Sequence, residues 1–234
     1  MNKHINDKEE ALERITANRT RTNLLKKYEQ LLLAYLVRHI PRFVTSDMLT
    51  WFGLFGSVVA AGSFVLGRYV GRGCLLLGIL GLIINWFGDS LDGRLAYYRQ
   101  IPRKWYGFSL DFVVDWFANI LIGAAYIVYT PGPKEFIGFM FVCLYGWAMM
   151  MALLRYKIAD AYTIDSGLFG PTEVRIIIMM VLVLEVIVPG SLIYSSGSIC
   201  FFLLIVDIKD FRQLLRTADQ RDKAERRAKD ERNA

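Results

Sequence analysis

Four aspartates fall within one 27-residue stretch, DSLDGRLAYYRQIPRKWYGFSLDFVVD, which runs from Asp89 to Asp115. Asp89 and Asp92 are three residues apart, and Asp111 and Asp115 are four apart. On helices, each pair shares one face. Two helices joined by the basic turn between them can therefore aim four carboxylates at one point. Four uncompensated negative charges at a membrane boundary are very unfavourable, and divalent cations resolve the conflict. Oxygen-only ligands favour a hard ion such as Mg²⁺, Mn²⁺ or Ca²⁺ over zinc. Two such ions side by side suit phosphoryl transfer, because they clamp the oxygens of an in-line displacement. Asp89, Asp92, Asp111 and Asp115 are thus candidate metal ligands. Gly93 and Ala96 share the Asp92 face, and Gly107 lies one turn before Asp111. Taken singly, such small residues ease helix packing. Beside four carboxylates, they leave room for a bulky ligand to approach the backbone.

The elements that must carry these residues are apolar. The chain is 54% hydrophobic and only 21% charged, and charge is absent from stretches long enough to cross a bilayer, which argues against a soluble domain. An aromatic content of 14% excludes disorder. Six apolar spans follow one another, at about 48–67, 74–88, 108–130, 136–154, 174–188 and 192–208. The spacing predicts an all-α integral membrane protein of six transmembrane helices. Ahead of them, Leu24, Leu25, Leu31–Leu33, Tyr35, Leu36 and Ile40 alternate with Lys26, Lys27, Arg38 and Arg42. That pattern suits an amphipathic helix lying in the membrane interface and ended by Pro41. The expected organisation is an N-terminal interfacial segment over 1–43, a membrane domain over 44–209 and a basic tail over 210–234. No short apolar run follows the start, so no cleavable signal peptide is expected.

Net charge is +6, and 25 of the 28 Lys and Arg residues fall in residues 1–43 and 209–234, the 89–107 loop and the 155–175 loop. The positive-inside rule places that side in the cytoplasm, with both termini and the aspartates, in a cytoplasmic (inner) membrane. The charge suits anionic lipid rather than nucleic acid. Cys74, Cys143 and Cys200 lack paired spacing, which favours packing roles. His4 and His39 have no metal-ligand partners at suitable spacing and suit surface or interfacial positions.

The aspartate stretch resembles the signature of the class I CDP-alcohol phosphotransferases (CDP-alcohol phosphatidyltransferases). Their pattern is D-x2-D-G-x2-A-R, then eight or nine residues, then G-x3-D-x3-D. Asp89, Asp92, Gly93, Ala96, Gly107, Asp111 and Asp115 stand at its positions with the right spacing. The family's six-helix membrane core agrees with the span count over about residues 40–210. Upstream, VTSDMLT from Val44 to Thr50 is similar to the family's V-T-P-N-x-L-T, with Ser46 and Asp47 in place of Pro and Asn. Tyr97 stands where the pattern has Arg. Tyr donates one hydrogen bond and brings no positive charge, and Arg99, two positions on, faces another side of the helix.

The resemblance implies a membrane enzyme of phospholipid synthesis that binds a CDP-linked alcohol on two Mg²⁺ ions, with Mn²⁺ as a substitute. It transfers the substituted phosphate to an acceptor hydroxyl and releases CMP. Asp89, Asp92 and Asp111 then hold metal. Asp115 is the catalytic base and also touches metal. Asp89, Gly93, Ala96, Tyr97 and Gly107 border the donor, and Arg103 and Lys104 lie near it. It also implies a homodimer.

Arg155, Lys157 and Arg175 end helices on the aspartate side, where family members that take phosphorylated acceptors carry basic residues. Pro171 in the first turn of the helix bearing Arg175 adds an N-terminus that favours anions. These cations favour CDP-diacylglycerol as donor and a sugar-alcohol phosphate as acceptor, inositol phosphate before glycerol phosphate. They also satisfy the positive-inside rule without any ligand. Other readings stay open: headgroup transfer from CDP-choline or CDP-ethanolamine to a lipid alcohol, an ion or proton transporter using the carboxylates, and a catalytically silent relative that binds nucleotide or a protein partner.

Overall fold

A computed structural model describes residues 26–159 and 171–233 of the chain. The described residues form helices and no strands. They are α1 (Lys26–His39), α2 (Ser46–Tyr69), a 3₁₀ turn (Arg72–Leu75), α3 (Leu76–Tyr98), α4 (Lys104–Tyr129), α5 (Glu135–Ala159), α6 (Pro171–Ile187) and α7 (Ser191–Asn233). Five helices are long and apolar enough to cross a membrane: α2, α3 with its preceding turn, α4, α5 and α7. The apolar α6, at 17 residues, is shorter. The helices of the aspartate stretch extend past their apolar spans to Tyr98 and back to Lys104, so all four aspartates lie on helix. The basic tail from 210 to 233 is helical and continuous with the apolar part of α7. Of the N-terminal segment, residues 1–25, with His4, lie outside the described residues, as does the 160–170 part of the basic loop.

Thr45 starts α2 as its N-cap, its side-chain oxygen accepting from the Met48 amide at 3.2 Å. Then α2 packs on α3 more extensively than any other pair, because their facing residues are glycines. A Cβ at Gly81 would stand 2.5 Å from the Ala60 amide nitrogen and 2.6 Å from the Gly56 carbonyl, and one at Gly88 would stand 2.5 Å from the Gly53 nitrogen. The two backbones touch, which fixes α3 and the aspartates at its end. By contrast, α3 and α4 are not closely packed on each other. Each leans on α2, and a cleft is left between them.

Two apolar clusters hold the ends. Leu33 and Val37 of α1 bury against Leu49, Leu91 and Leu95 under the aspartate stretch. At the far end, Phe64, Leu82, Tyr126, Leu182 and Leu192 form the larger core. There the Glu185 carboxylate accepts from the Gly190 and Leu192 amides at 3.0 and 2.7 Å and from the Tyr129 hydroxyl at 2.9 Å, capping the start of α7. Gly190 makes the turn between α6 and α7 at φ +88. Helices α5 and α7 run parallel, shown by the contacts Cys200–Ile137, Trp147–Phe211 and Arg155–Asp210. The three cysteines are free, with Cys200 buried and Cys143 exposed.

Candidate functional site

Helical spacing and the splayed α3–α4 pair bring three of the four aspartates together. Asp89 from α3 and Asp111 and Asp115 from α4 each offer a carboxylate oxygen within 4.8 Å of the others. Three hard oxygen donors at that separation fit one divalent cation, so the chemistry of the donor set agrees with the expected metal. Asp92 is not part of this group. It is 5% exposed, and α2 engages it at two atoms: Thr50 Oγ1 donates to its Oδ2 at 2.7 Å, and Ser46 Oγ donates to its carbonyl at 2.7 Å. Its own Oδ1 accepts from the Gly93 amide.

Arg175, reaching in from α6, lies on the triad. It donates to Asp89 Oδ2 at 2.6 Å and to Asn85 Oδ1 at 2.8 Å. Asn85, one turn before Asp89, donates in turn to Ser57 Oγ at 3.0 Å and to the Gly53 carbonyl at 3.2 Å. The guanidinium thus offsets part of the carboxylate charge and is held by a network anchored in the glycine seam. The other two expected acceptor residues go elsewhere. Arg155 pairs with Asp210 of α7 at 2.9 Å, and Lys157 is exposed. Of the three, Arg175 alone lines one of the two cavities beside the aspartates.

Two cavities flank the aspartates, one lined by Asp92 and Asp111 and the other by Asp115. The larger, about 820 Å³, opens at their end of the bundle, and its size falls within the range of small-molecule sites. It brings together Gly93, Ala96, Tyr97 and Gly107 with Asp92 and Asp111. A Cβ at Gly107 would meet nothing within 4 Å, so that wall is open. Ser46, Asp47 and Tyr97, three positions where the chain departs from the family pattern, line this same cavity. So do Arg42, Arg99, Arg103 and Lys104. Arg99 is tied to the Pro41 and Val44 carbonyls. Arg103 pairs with Asp47 across the mouth and stacks over Tyr106 at 4.2 Å. Its hydrogen bond to Asp47 raises the Arg103 guanidinium further above its ordinary value, so it stays charged.

The smaller cavity, about 50 Å³, lies one helical turn deeper. It is lined by Ser57, Asn85, Asp115, Asn119, Tyr145 and Arg175, among apolar neighbours that include Phe141 and Ile178. Sequence reasoning passed over Asn85 and Asn119, although each stands four residues from an aspartate on the same helical face. It also passed over Arg94, which is buried with Glu29 of α1 at 3.8 Å and ties that helix to the aspartate stretch.

No known protein family matches this chain, and no curated protein matches it significantly. The likeness to the CDP-alcohol phosphotransferase pattern accordingly rests on the residues themselves.

Proposed function

We propose that the protein is a metal-dependent CDP-alcohol phosphotransferase acting at a membrane surface. The observation that carries this reading is the convergence of Asp89, Asp111 and Asp115 beside a cavity lined by Gly93, Ala96, Tyr97 and Gly107, because the metal and nucleotide requirements of the reaction meet in one place. Asp89, Asp111 and Asp115 would hold the cation, with Asp92 next to them on the cavity wall. Mg²⁺, or Mn²⁺ in its place, supplies charge neutralisation for the donor diphosphate. The larger cavity receives the CDP moiety, and the cations at its mouth outside the Arg103–Asp47 pair, Arg42 and Lys104, attract its phosphates. CDP-diacylglycerol is the favoured donor.

Asp115 lines the smaller cavity, next to Asp111 of the larger, and accepts the proton of the attacking hydroxyl. The acceptor oxygen forms a bond to the phosphorus that carries the donor's alcohol. The diphosphate P–O bond breaks, and CMP leaves with the bonding pair. Six spans, with the 17-residue α6 as the fifth, put the aspartate end and both termini in the cytoplasm. Helix α1 exposes Tyr28, Leu31, Leu32 and Tyr35 while burying Leu33 and Val37, which suits it to lie in the interface. The protein works as a homodimer.

The test is CMP release by the full chain in lipid nanodiscs, with CDP-diacylglycerol and separately with CDP-choline plus diacylglycerol, in Mg²⁺ and in chelator. Mg²⁺-dependent CMP release from either donor supports the reading. No CMP from both removes it and favours the transporter or the silent relative.

A further inference from the structure

The smaller cavity asks for an occupant. Asn119 lines it and is 5% exposed. Its amide nitrogen donates to the Val142 carbonyl at 3.4 Å, and its Oδ1 has no hydrogen-bond partner among the described residues. A buried acceptor oxygen left unpaired is costly, so a donor belongs in this chamber. Its volume, about 50 Å³, admits a few water-sized groups.

Charge limits what the donor is. Asp115 lines the chamber, and the one cation among its described lining residues is Arg175, whose guanidinium already serves Asp89 and Asn85. A phosphate placed there would face Asp115 with no spare cation, since the metal ion of the phosphotransferase reading is committed to the three carboxylates and the donor diphosphate, and a desolvated charge without a partner is strongly disfavoured. A hydroxyl meets no such opposition. Its O–H can donate to Asn119 Oδ1, and its oxygen comes to lie beside Asp115. Helix α6 is not closely packed on α4 or α5 among the described residues, so the chamber wall between α5 and α6 is held by side chains, not by touching backbones.

We infer that this chamber binds the acceptor as an uncharged hydroxyl, on a small alcohol or on a lipid alcohol, with Asn119 as the residue that receives its hydrogen bond. The inference rests on the phosphotransferase reading and replaces the expected phosphorylated acceptor. It is tested with matched pairs on the full chain in nanodiscs with Mg²⁺. CDP-diacylglycerol is offered glycerol against glycerol 3-phosphate and inositol against inositol phosphate. CDP-choline is offered diacylglycerol.

The uncharged member of a pair should be used at least tenfold better, or diacylglycerol should be the accepted alcohol, and the arm that works identifies the source. Preference for the phosphorylated member, with CMP still released, overturns the inference and leaves the phosphotransferase reading standing. No CMP in any arm overturns both. Asn119→Leu should raise the Michaelis constant of the working acceptor at least tenfold while that of the donor stays within twofold. Asn119→Ser, which keeps a hydroxyl, should recover part of the loss and controls for misfolding. Unchanged acceptor constants in both variants also overturn the assignment.

Discussion

The two cavities lie on either side of the triad, Asp111 lining one and Asp115 the other, and treat charge in opposite ways. At the aspartate end, four cations line a volume of about 820 Å³, and three of them, Arg42, Arg99 and Lys104, form no ion pair with a described residue. One turn deeper, about 50 Å³ is lined by apolar side chains, amides, hydroxyls, the Asp115 carboxylate and a single guanidinium already bound to Asp89. A polyanion finds unspent charge only in the first, and an uncharged group loses nothing in the second. The difference teaches that counting Lys and Arg near a site is a poor guide to its ligand. What counts is whether each cation is already engaged.

The comparison breaks most completely at Asp115, which lies in the deeper chamber and in the triad. Asp115→Asn should lower CMP release by about 10³-fold, the scale of a lost general base, while equilibrium binding of the CDP donor to the larger cavity persists. Normal turnover in that variant would remove Asp115 from the chemistry.

The glycines sharpen the contrast between walls and openings. Gly81→Ala forces a Cβ against the α2 backbone and should destabilise the protein by about 1–3 kcal/mol, as overpacking does, visible as a lower thermal midpoint in detergent. Gly107→Ala meets open space and should leave the midpoint unchanged while raising the donor Michaelis constant. Equal midpoints for the two variants would contradict the seam.

Thr50→Val tests the cavity wall. It removes the 2.7 Å hydrogen bond to the Asp92 carboxylate, a bond to a charged group worth about 1.5–3 kcal/mol, and should weaken donor binding by about tenfold or more. An unchanged donor constant would make Asp92 a packing residue.

How far the sequence reveals this site depends on chain separation. The pairing of Asp89 with Asp92 and of Asp111 with Asp115 is a local, helical matter, readable from spacing alone. The same spacing reaches Asn85 and Asn119, and the glycines at 53, 56, 81 and 88 fall at helical intervals, so the seam and the deeper chamber were legible too and were passed over in favour of charged residues. What spacing does not reveal is long-range choice. Arg175 selects Asp89 across 86 positions, Arg155 selects Asp210 across 55, and Thr50 selects Asp92 across 42. Topology puts Arg155, Lys157 and Arg175 at one end of the bundle, yet packing hands each a different fate. The α3–α4 cleft is of the same kind, since a short turn between two helices suggests contact, and only α2 behind them explains why they splay.

The smallest effect concerns the spent cation. Arg175→Met removes a positive charge 2.6 Å from a carboxylate of the triad, so Mg²⁺ should bind more tightly, by severalfold, with the acceptor constant little changed. A large rise in the acceptor constant with no shift in the Mg²⁺ requirement would return Arg175 to an acceptor role.

The central claim is that the triad, with Asp111 on the larger cavity and Asp115 on the smaller, is a cation site. Mn²⁺ binding to the purified full chain in nanodiscs, followed by electron paramagnetic resonance, tests it most directly. The account predicts saturable binding that is lost in Asp111→Asn and Asp89→Asn, retained in Lys157→Ala, and altered in spectrum when a CDP-alcohol is added. Binding that survives loss of the aspartates, or a wild-type chain that binds no Mn²⁺ with or without the nucleotide, would contradict it.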